Sequence, residues 1–170
     1  MEHERHMLKH HREMVNTRRL YKFEEEFFSQ RKYSPLTKQL PISIIKTIGK
    51  MVWDSESPYV RKVIPEIRFG PGVYHTQSRG KNLYYSWCDG KVIELAPYQC
   101  DLLTLLHEMV HALGYSYHDS KFVEKYVDLL KRYGGVNKKE LIIGMQEYKV
   151  ALPNKYKRLY VHDTTSKGRV

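Results

Sequence analysis

The chain is poor in cysteine: Cys88 and Cys100 are the only two in 170 residues. Two thiols make no disulfide framework, and a reducing, cytoplasmic setting fits such usage. Long apolar runs are missing too, since no uninterrupted stretch reaches the roughly 18 residues that a membrane-spanning helix requires. The opening residues, MEHERHMLKHHREM, are charged throughout and lack the apolar centre of a secretory signal. No internal repeat or low-complexity segment occurs. What remains is a chain with 41% hydrophobic residues, long enough to bury a core of its own.

Acidic residues are the scarcer charge, 19 against 29 Lys and Arg, for a formal net charge of +10. The excess sits at the two ends. Residues 1–50 carry 11 basic against 6 acidic side chains, residues 119–170 carry 12 against 6, and residues 51–118 carry 6 against 7. Basic arms around a neutral centre suit contact with nucleic acid or an acidic partner, and equally serve solubility.

Hydrophobic spacing predicts one long polar helix over residues 1–33, with Met7, Leu8, Met14, Val15, Leu20, Phe23 and Phe27 along it and Ser34-Pro35 breaking it. His3, His6, His10 and His11 fall on this helix and read as a solvated basic face. A second helix is expected over 41–53, with Ile44, Ile45, Ile48, Met51 and Val52 as its buried face. A loop follows over 54–62. Three strands come next, Ile64–Phe69, Asn82–Cys88 and Lys91–Leu95, the last two joined by an Asp89-Gly90 hairpin turn. Helices are then expected from Ser120 to Tyr133, capped by Asp119 or Ser120 and closed by Gly134-Gly135, and from Lys138 to Tyr148. Residues 153–170 read as a basic, partly unstructured tail with Tyr156 and Tyr160 interleaved. This divides the chain into an N-terminal helical segment (1–53), an α+β core (54–150) and a tail (151–170).

Between the last strand and the Ser120 helix lies LLTLLHEMVHALGYSYHDSKF, residues 102–122. At 100° per residue Leu102, Leu105, Leu106, Met109, Val110 and Leu113 fill one arc of a helix, while His107 and His111 share the opposite side, flanked by Glu108. Two histidines four apart in an H-E-x-x-H word can share a zinc ion, with the intervening carboxylate handling the proton of the attacking water. Gly114 suits a left-handed helix end, which lets the chain reverse and return His118 to the pair. Three neutral imidazoles with an open fourth position is the ligand set of a catalytic zinc. Asp119, Glu124 and the remote His162 are the alternatives to His118 as third ligand. The metzincin word H-E-x-x-H-x-x-G-x-x-H is not met, because position 117 is tyrosine.

His107-Glu108-Met109-Val110-His111-Ala112-Leu113 followed by His118-Asp119-Ser120-Lys121-Phe122 resembles an SprT-like (Spartan-type) metallopeptidase domain. That family shows H-E-[LM]-x-H-A and then a third histidine opening an H-G-x-x-F segment; Asp119 stands here in place of the glycine. The resemblance covers residues 60–135 and is most specific over 107–122. It implies an α+β zincin-like domain with a small antiparallel or mixed sheet and flanking helices, one Zn²⁺ on His107, His111 and His118, and Glu108 as general base. Several members digest DNA-associated proteins. The chain lacks the four-cysteine zinc ribbon that many members carry and is similar to the compact versions.

The expected activity is zinc-dependent hydrolysis of a peptide bond, with a protein or peptide substrate lying antiparallel along an exposed edge of Asn82–Cys88 or Lys91–Leu95. Trp87 is a candidate for the cleft lining. Candidate donors to the developing oxyanion are Tyr115, Tyr117, Tyr148 and His162. Two other readings compete. One is a nucleic-acid-binding protein with a structural zinc, its basic arms on phosphate and Tyr156 and Tyr160 stacking on bases. The other is a zinc hydrolase of a non-peptide amide.

Overall fold

The structure is a computed structural model describing residues 2–57, 63–71, 73–76 and 82–157, with backbone alone described for residues 2–7, 73–76 and 82–85. Tyr160, His162 and part of the expected 54–62 loop lie outside the described residues. The chain runs α1 (Glu2–Phe27), a 3₁₀ turn (Arg31–Tyr33), α2 (Ser34–Thr37) and α3 (Ile42–Glu56), then β1 (Glu66–Phe69), β2 (Val73–Thr76), β3 (Asn82–Tyr85), β4 (Trp87–Cys88) and β5 (Val92–Leu95). It closes with α4 (Leu102–Ala112), α5 (Ser120–Tyr133), α6 (Lys138–Glu147) and α7 (Asn154–Lys157). The architecture is α+β, with a small mixed sheet among helices.

The first helix stops six residues earlier than its spacing suggests. Leu20, Phe23 and Phe27 form its buried stripe, and Phe28 and Tyr33 fold back on them so that the four aromatic rings pack with Phe27–Tyr33 centroids 4.9 Å apart. Ser34-Pro35 does not break a helix; it opens α2, because a proline in the first helical turn has no hydrogen bond to lose. In α3 the buried face is Ile45, Gly49, Val52 and Trp53, while Ile44 and Met51 are exposed. Gly49 accounts for that rotation. A Cβ there would collide with Ile67 of β1, so the helix turns its bare position toward the sheet.

The three-stranded sheet has the order β1-β5-β4, with β1 parallel to β5 (Ile67 opposite Ile93) and β4 antiparallel to it (Cys88 opposite Ile93). Strand β5 is therefore central and cannot offer a free edge, which corrects one of the two edges expected for substrate. Asn82–Cys88 is not one strand either. Its first half pairs with β2, which the sequence reading omitted, in a separate antiparallel ribbon; its second half pairs with β5. The break falls at Ser86, whose N–H donates to Gln99 Oε1 at 2.7 Å and whose hydroxyl accepts from Ala96 N–H at 2.9 Å. These local bonds take Ser86 out of the ladder. The Asp89-Gly90 hairpin forms as expected, with Gly90 at φ 87° and Asp89 Oδ1 accepting from the Lys91 and Val92 amides.

Helix α4 packs against α5, α3 and β5 through Leu105, Leu106, Met109 and Val110, all fully buried. Side chains cap the helices at this end of the chain: Asp101 for α4, Asp119 for α5 and Asn137 for α6. Glu56 at the end of α3 accepts from Lys125, Arg132 and Tyr133, tying α3 to α5. Burial alone would raise its carboxyl, but these donors hold it below the ordinary range. Tyr156 is 4% exposed and belongs to the core, so it is not available to stack on a base.

Helix α6 meets α1 at Gly144, where an added Cβ would lie 2.7 Å from Phe27 Cδ2 and 3.0 Å from Phe23 Cε2. Gly144→Ala is expected to destabilise the fold by about 1–2 kcal/mol, because overpacking outweighs the roughly 1 kcal/mol that alanine gains in a helix. Denaturant unfolding checks this, and an unchanged or raised midpoint would contradict it.

Candidate metal centre

The H-E-x-x-H word sits on α4. Its apolar arc drives the helix against α5 and the sheet, which leaves His107, Glu108 and His111 facing across toward α1 and the α4–α5 loop. Gly114 takes φ 104°, with its N–H bonded to the His111 carbonyl and the Tyr115 N–H to the Val110 carbonyl. That left-handed closure reverses the chain. His118 then arrives one residue before the Asp119 cap of α5.

The three imidazoles converge. His107 Nε2 and His118 Nε2 are 3.1 Å apart, and His111 Nε2 and His118 Nε2 are 3.2 Å apart. All three donor atoms lie within 4.8 Å of one another. Tetrahedral zinc with Zn–N bonds of about 2.0–2.1 Å holds its nitrogens about 3.3–3.4 Å apart, close to the spacing found. His107 and His118 are buried and His111 is half-buried. Phe122, the aromatic of the H-D-S-K-F segment, underlies the cluster, its ring 5.0, 4.8 and 4.7 Å from those of His107, His111 and His118.

Each ring's other nitrogen is already engaged. His107 Nδ1 is 2.8 Å from Glu24 Oε1, and His111 Nδ1 is 2.7 Å from the Tyr115 carbonyl. His118 Nδ1 is 3.0 Å from Thr17 Oγ1 and 3.2 Å from Glu13 Oε1. The Thr17 hydroxyl donates to the Glu13 carbonyl at 2.9 Å, so it has a lone pair for His118. Oxygen acceptors thus assign the hydrogen to Nδ1 in all three rings, and three Nε2 lone pairs face one point. Three such lone pairs repel one another unless a cation lies between them, so the donor set fits a metal ion.

Titration favours the neutral form in two of the three rings. Burial, then the neighbouring His107, pushes His111 down to about 4. Burial and both other histidines push His118 down to about 2. Burial acts the same way on His107, but the Glu24 carboxylate overrides it and raises that ring. Glu108 is 6% exposed, and burial pushes its carboxyl up to about 7 against the pull of His107. Among the described residues no hydrogen bond or ion pair occupies this carboxylate, whereas Glu13 and Glu24 are both committed to histidines.

The alternatives for third ligand are engaged elsewhere: Asp119 accepts from the Lys121 and Phe122 amides, and Glu124 pairs with Lys155. Of the tyrosines named from sequence, Tyr115 contributes its carbonyl to His111. Tyr117 is 51% exposed, with the Lys9 ammonium 4.8 Å from its ring centre. Tyr148 donates to Glu26 at 2.6 Å. Two other tyrosines reach the cluster: Tyr21 of α1, its ring 5.6 Å from those of both His107 and His118, and the buried Tyr126 of α5, its ring 5.5 Å from that of His107.

Sequence reasoning treated α1 as a solvated helix and so missed Glu13, Thr17, Tyr21 and Glu24. On a helical wheel Glu13, Thr17 and Glu24 fall within about 40° of one another, and that clustering was the available signal. Trp87 is half-buried, its indole donating to Glu94 Oε1 at 3.3 Å. Cys88, pushed up to about 11 by burial, and Cys100, bonded to the Leu40 carbonyl, are not part of the cluster. In comparisons with known proteins, no family model, no curated protein and no solved structure matches the chain.

Proposed function

We propose that the protein is a zinc-dependent peptidase with a zincin-like centre. The observation that carries this reading is the convergence of three Nε2 lone pairs beside a buried carboxylate with no partner of its own. A structural zinc would close all four positions with protein ligands, and the described residues supply three. The resemblance of residues 107–122 to SprT-like domains points the same way.

His107, His111 and His118 would hold the ion. Bound there, zinc lowers the pKa of water toward about 7 and polarises a scissile carbonyl. Glu108 performs the proton traffic: its carboxylate takes the proton of the attacking water and passes it to the leaving amine. Its burial, with no hydrogen bond or ion pair among the described residues, leaves the carboxylate available for this role. Tyr21, whose ring lies 5.6 Å from those of His107 and His118, is the proposed donor to the oxyanion on the scissile carbonyl. Phe122 packs against all three ligand rings.

Strand β4 is the outer strand of its sheet among the described residues, and it packs against α4. An extended substrate peptide adds to such an edge through main-chain hydrogen bonds. A peptide fits this better than a compact non-peptide amide, which has no use for a strand edge.

The reading is tested with a denatured protein substrate. Cleavage is expected from the zinc-loaded chain, to stop with a chelator and to return when zinc is restored. Cleavage that continues in excess chelator, or none in a chain carrying one zinc, would refute it.

A further inference from the structure

Helix α1 reaches the metal cluster from more than eighty residues away in sequence, and it does so with charge. Glu24 is bonded to His107, while Glu13 and Thr17 are bonded to His118; the His118 amide also donates to Glu13 Oε1 at 2.8 Å. His111 alone is oriented within its own segment, by the Tyr115 carbonyl. Both carboxylates are largely withdrawn from water, with side-chain exposures of 14% for Glu24 and 25% for Glu13. In a chain with 29 Lys and Arg, no lysine or arginine pairs with either of them among the described residues. Both accept from imidazole N–H groups, and Glu13 accepts also from the His118 amide and the Thr17 hydroxyl.

Three neutral imidazoles bring no charge to a divalent cation. Two carboxylates joined to those rings through N–H···O bonds bring two negative charges, which pass through the rings and raise their basicity. We infer that α1 is part of the metal centre: Glu24, Glu13 and Thr17 are positioning residues that fix His107 and His118 and supply the countercharge. Docking of α1 and binding of the metal then strengthen each other. The C-terminal half of α1 is held by Leu20, Phe23 and Phe27 in the core. Among the described residues, the half before Thr17 is tied by the Glu13 and Thr17 bonds to His118 and by Lys9 over Tyr117, and it is this half that the metal would secure. The inference rests on the metal-centre reading of the histidine cluster.

The test uses the full chain, with zinc or cobalt(II) as the probe. Metal affinity is measured by chelator competition, the cobalt spectrum is recorded, and amide exchange along α1 is followed with and without zinc. Glu24→Ala is expected to weaken zinc binding about 10–100-fold and to shift the cobalt bands. Glu24→Gln keeps an oxygen acceptor and the side-chain shape, so it should fold even where the alanine variant does not; loss of the charge alone should leave it between wild type and alanine. Zinc should slow exchange in α1 around Glu13–Thr17 in the wild type and slow it less in Glu24→Gln, since coupling between two events is reciprocal. Tyr148→Phe, which removes the tie from α6's end to Glu26 on the same helix, should leave zinc affinity at the wild-type value. A folded Glu24→Gln protein with wild-type affinity, wild-type cobalt bands and zinc-independent α1 exchange would overturn the inference and leave the metal centre standing. A wild-type chain that takes up no metal would overturn both.

Discussion

Glu108→Gln is expected to fold and to bind metal as the wild type does, and to hydrolyse peptide bonds about 10²–10⁴-fold more slowly, the usual worth of a positioned acid–base group. Glutamine has the same shape and keeps an oxygen, but it cannot take a proton from water. The stability of the metal-free protein makes this prediction sharper. Burial raises the Glu108 carboxyl from its ordinary 4.5 to about 7. Between those pH values the unfolded chain has released this proton while the folded chain still holds it. Stability therefore falls as pH rises through that window, and above it the ionised group is a standing cost. The neutral amide has no such cost, so Glu108→Gln should unfold at an equal or higher denaturant concentration than wild type at pH 8. A carboxylate kept for structure behaves the other way, because removing its charge loses an ion pair. Parallel measurements of turnover, metal content and unfolding midpoint separate the two roles. Retained turnover, or a clear loss of stability, would contradict the assignment.

His118→Ala should cost metal affinity more than the about 10–100-fold typical of an outer-shell change, because it removes a donor rather than an orienting partner. His118 Nε2 lies 3.1 Å from that of His107 and 3.2 Å from that of His111, so it stands between the other two rings. Its neighbour supplies the control. The Asp119 carboxylate accepts two amide bonds at the start of α5. Asp119→Ala is expected to lose about 1 kcal/mol of stability as a helix cap while retaining metal. If instead Asp119→Ala loses the ion and His118→Ala keeps it, the third ligand has been misassigned. Equilibrium dialysis against a zinc buffer, paired with thermal unfolding, distinguishes these outcomes.

The cluster was legible in the sequence because its components are local. A period of 3.6 sorts His107 and His111 away from the leucines of α4, and Gly114 forces a reversal whose length brings His118 back. The Asp89-Gly90 hairpin and the Asp119 cap are equally short-range, and both form where expected. What the sequence hid is long-range. Glu13, Thr17 and Glu24 look like ordinary solvated polar residues, because a helix face that meets buried imidazoles has no reason to be apolar. The hydrophobic pattern that marks a core face is blind to it. The face of α3 was misjudged for a related reason: Gly49 scores as a gap in an apolar stripe, yet its missing side chain is what admits Ile67. Ser86 divides an apparently continuous strand through bonds to Gln99 and Ala96, contacts that no alternation of residue type encodes. Tyr156 reads as an exposed aromatic in a basic tail, although packing against the core buries it.

Two roles that look alike in composition are separated by partners. Three glutamates surround the histidines. Glu13 and Glu24 are bonded to ring N–H groups and orient them; Glu108 is buried without such a bond and is available for chemistry. This division makes the variants differ in kind: weakened metal binding for Glu13 and Glu24, loss of turnover with metal retained for Glu108.

The central claim is a metal held by three imidazoles with its fourth position open, and X-ray absorption of the zinc-loaded chain tests it most directly. The expected spectrum shows nitrogen and oxygen scatterers at about 2.0–2.1 Å, with outer-shell features of three imidazoles, falling to two in His118→Ala. A sulfur scatterer at about 2.3 Å, or two imidazoles in the wild type, would contradict the account.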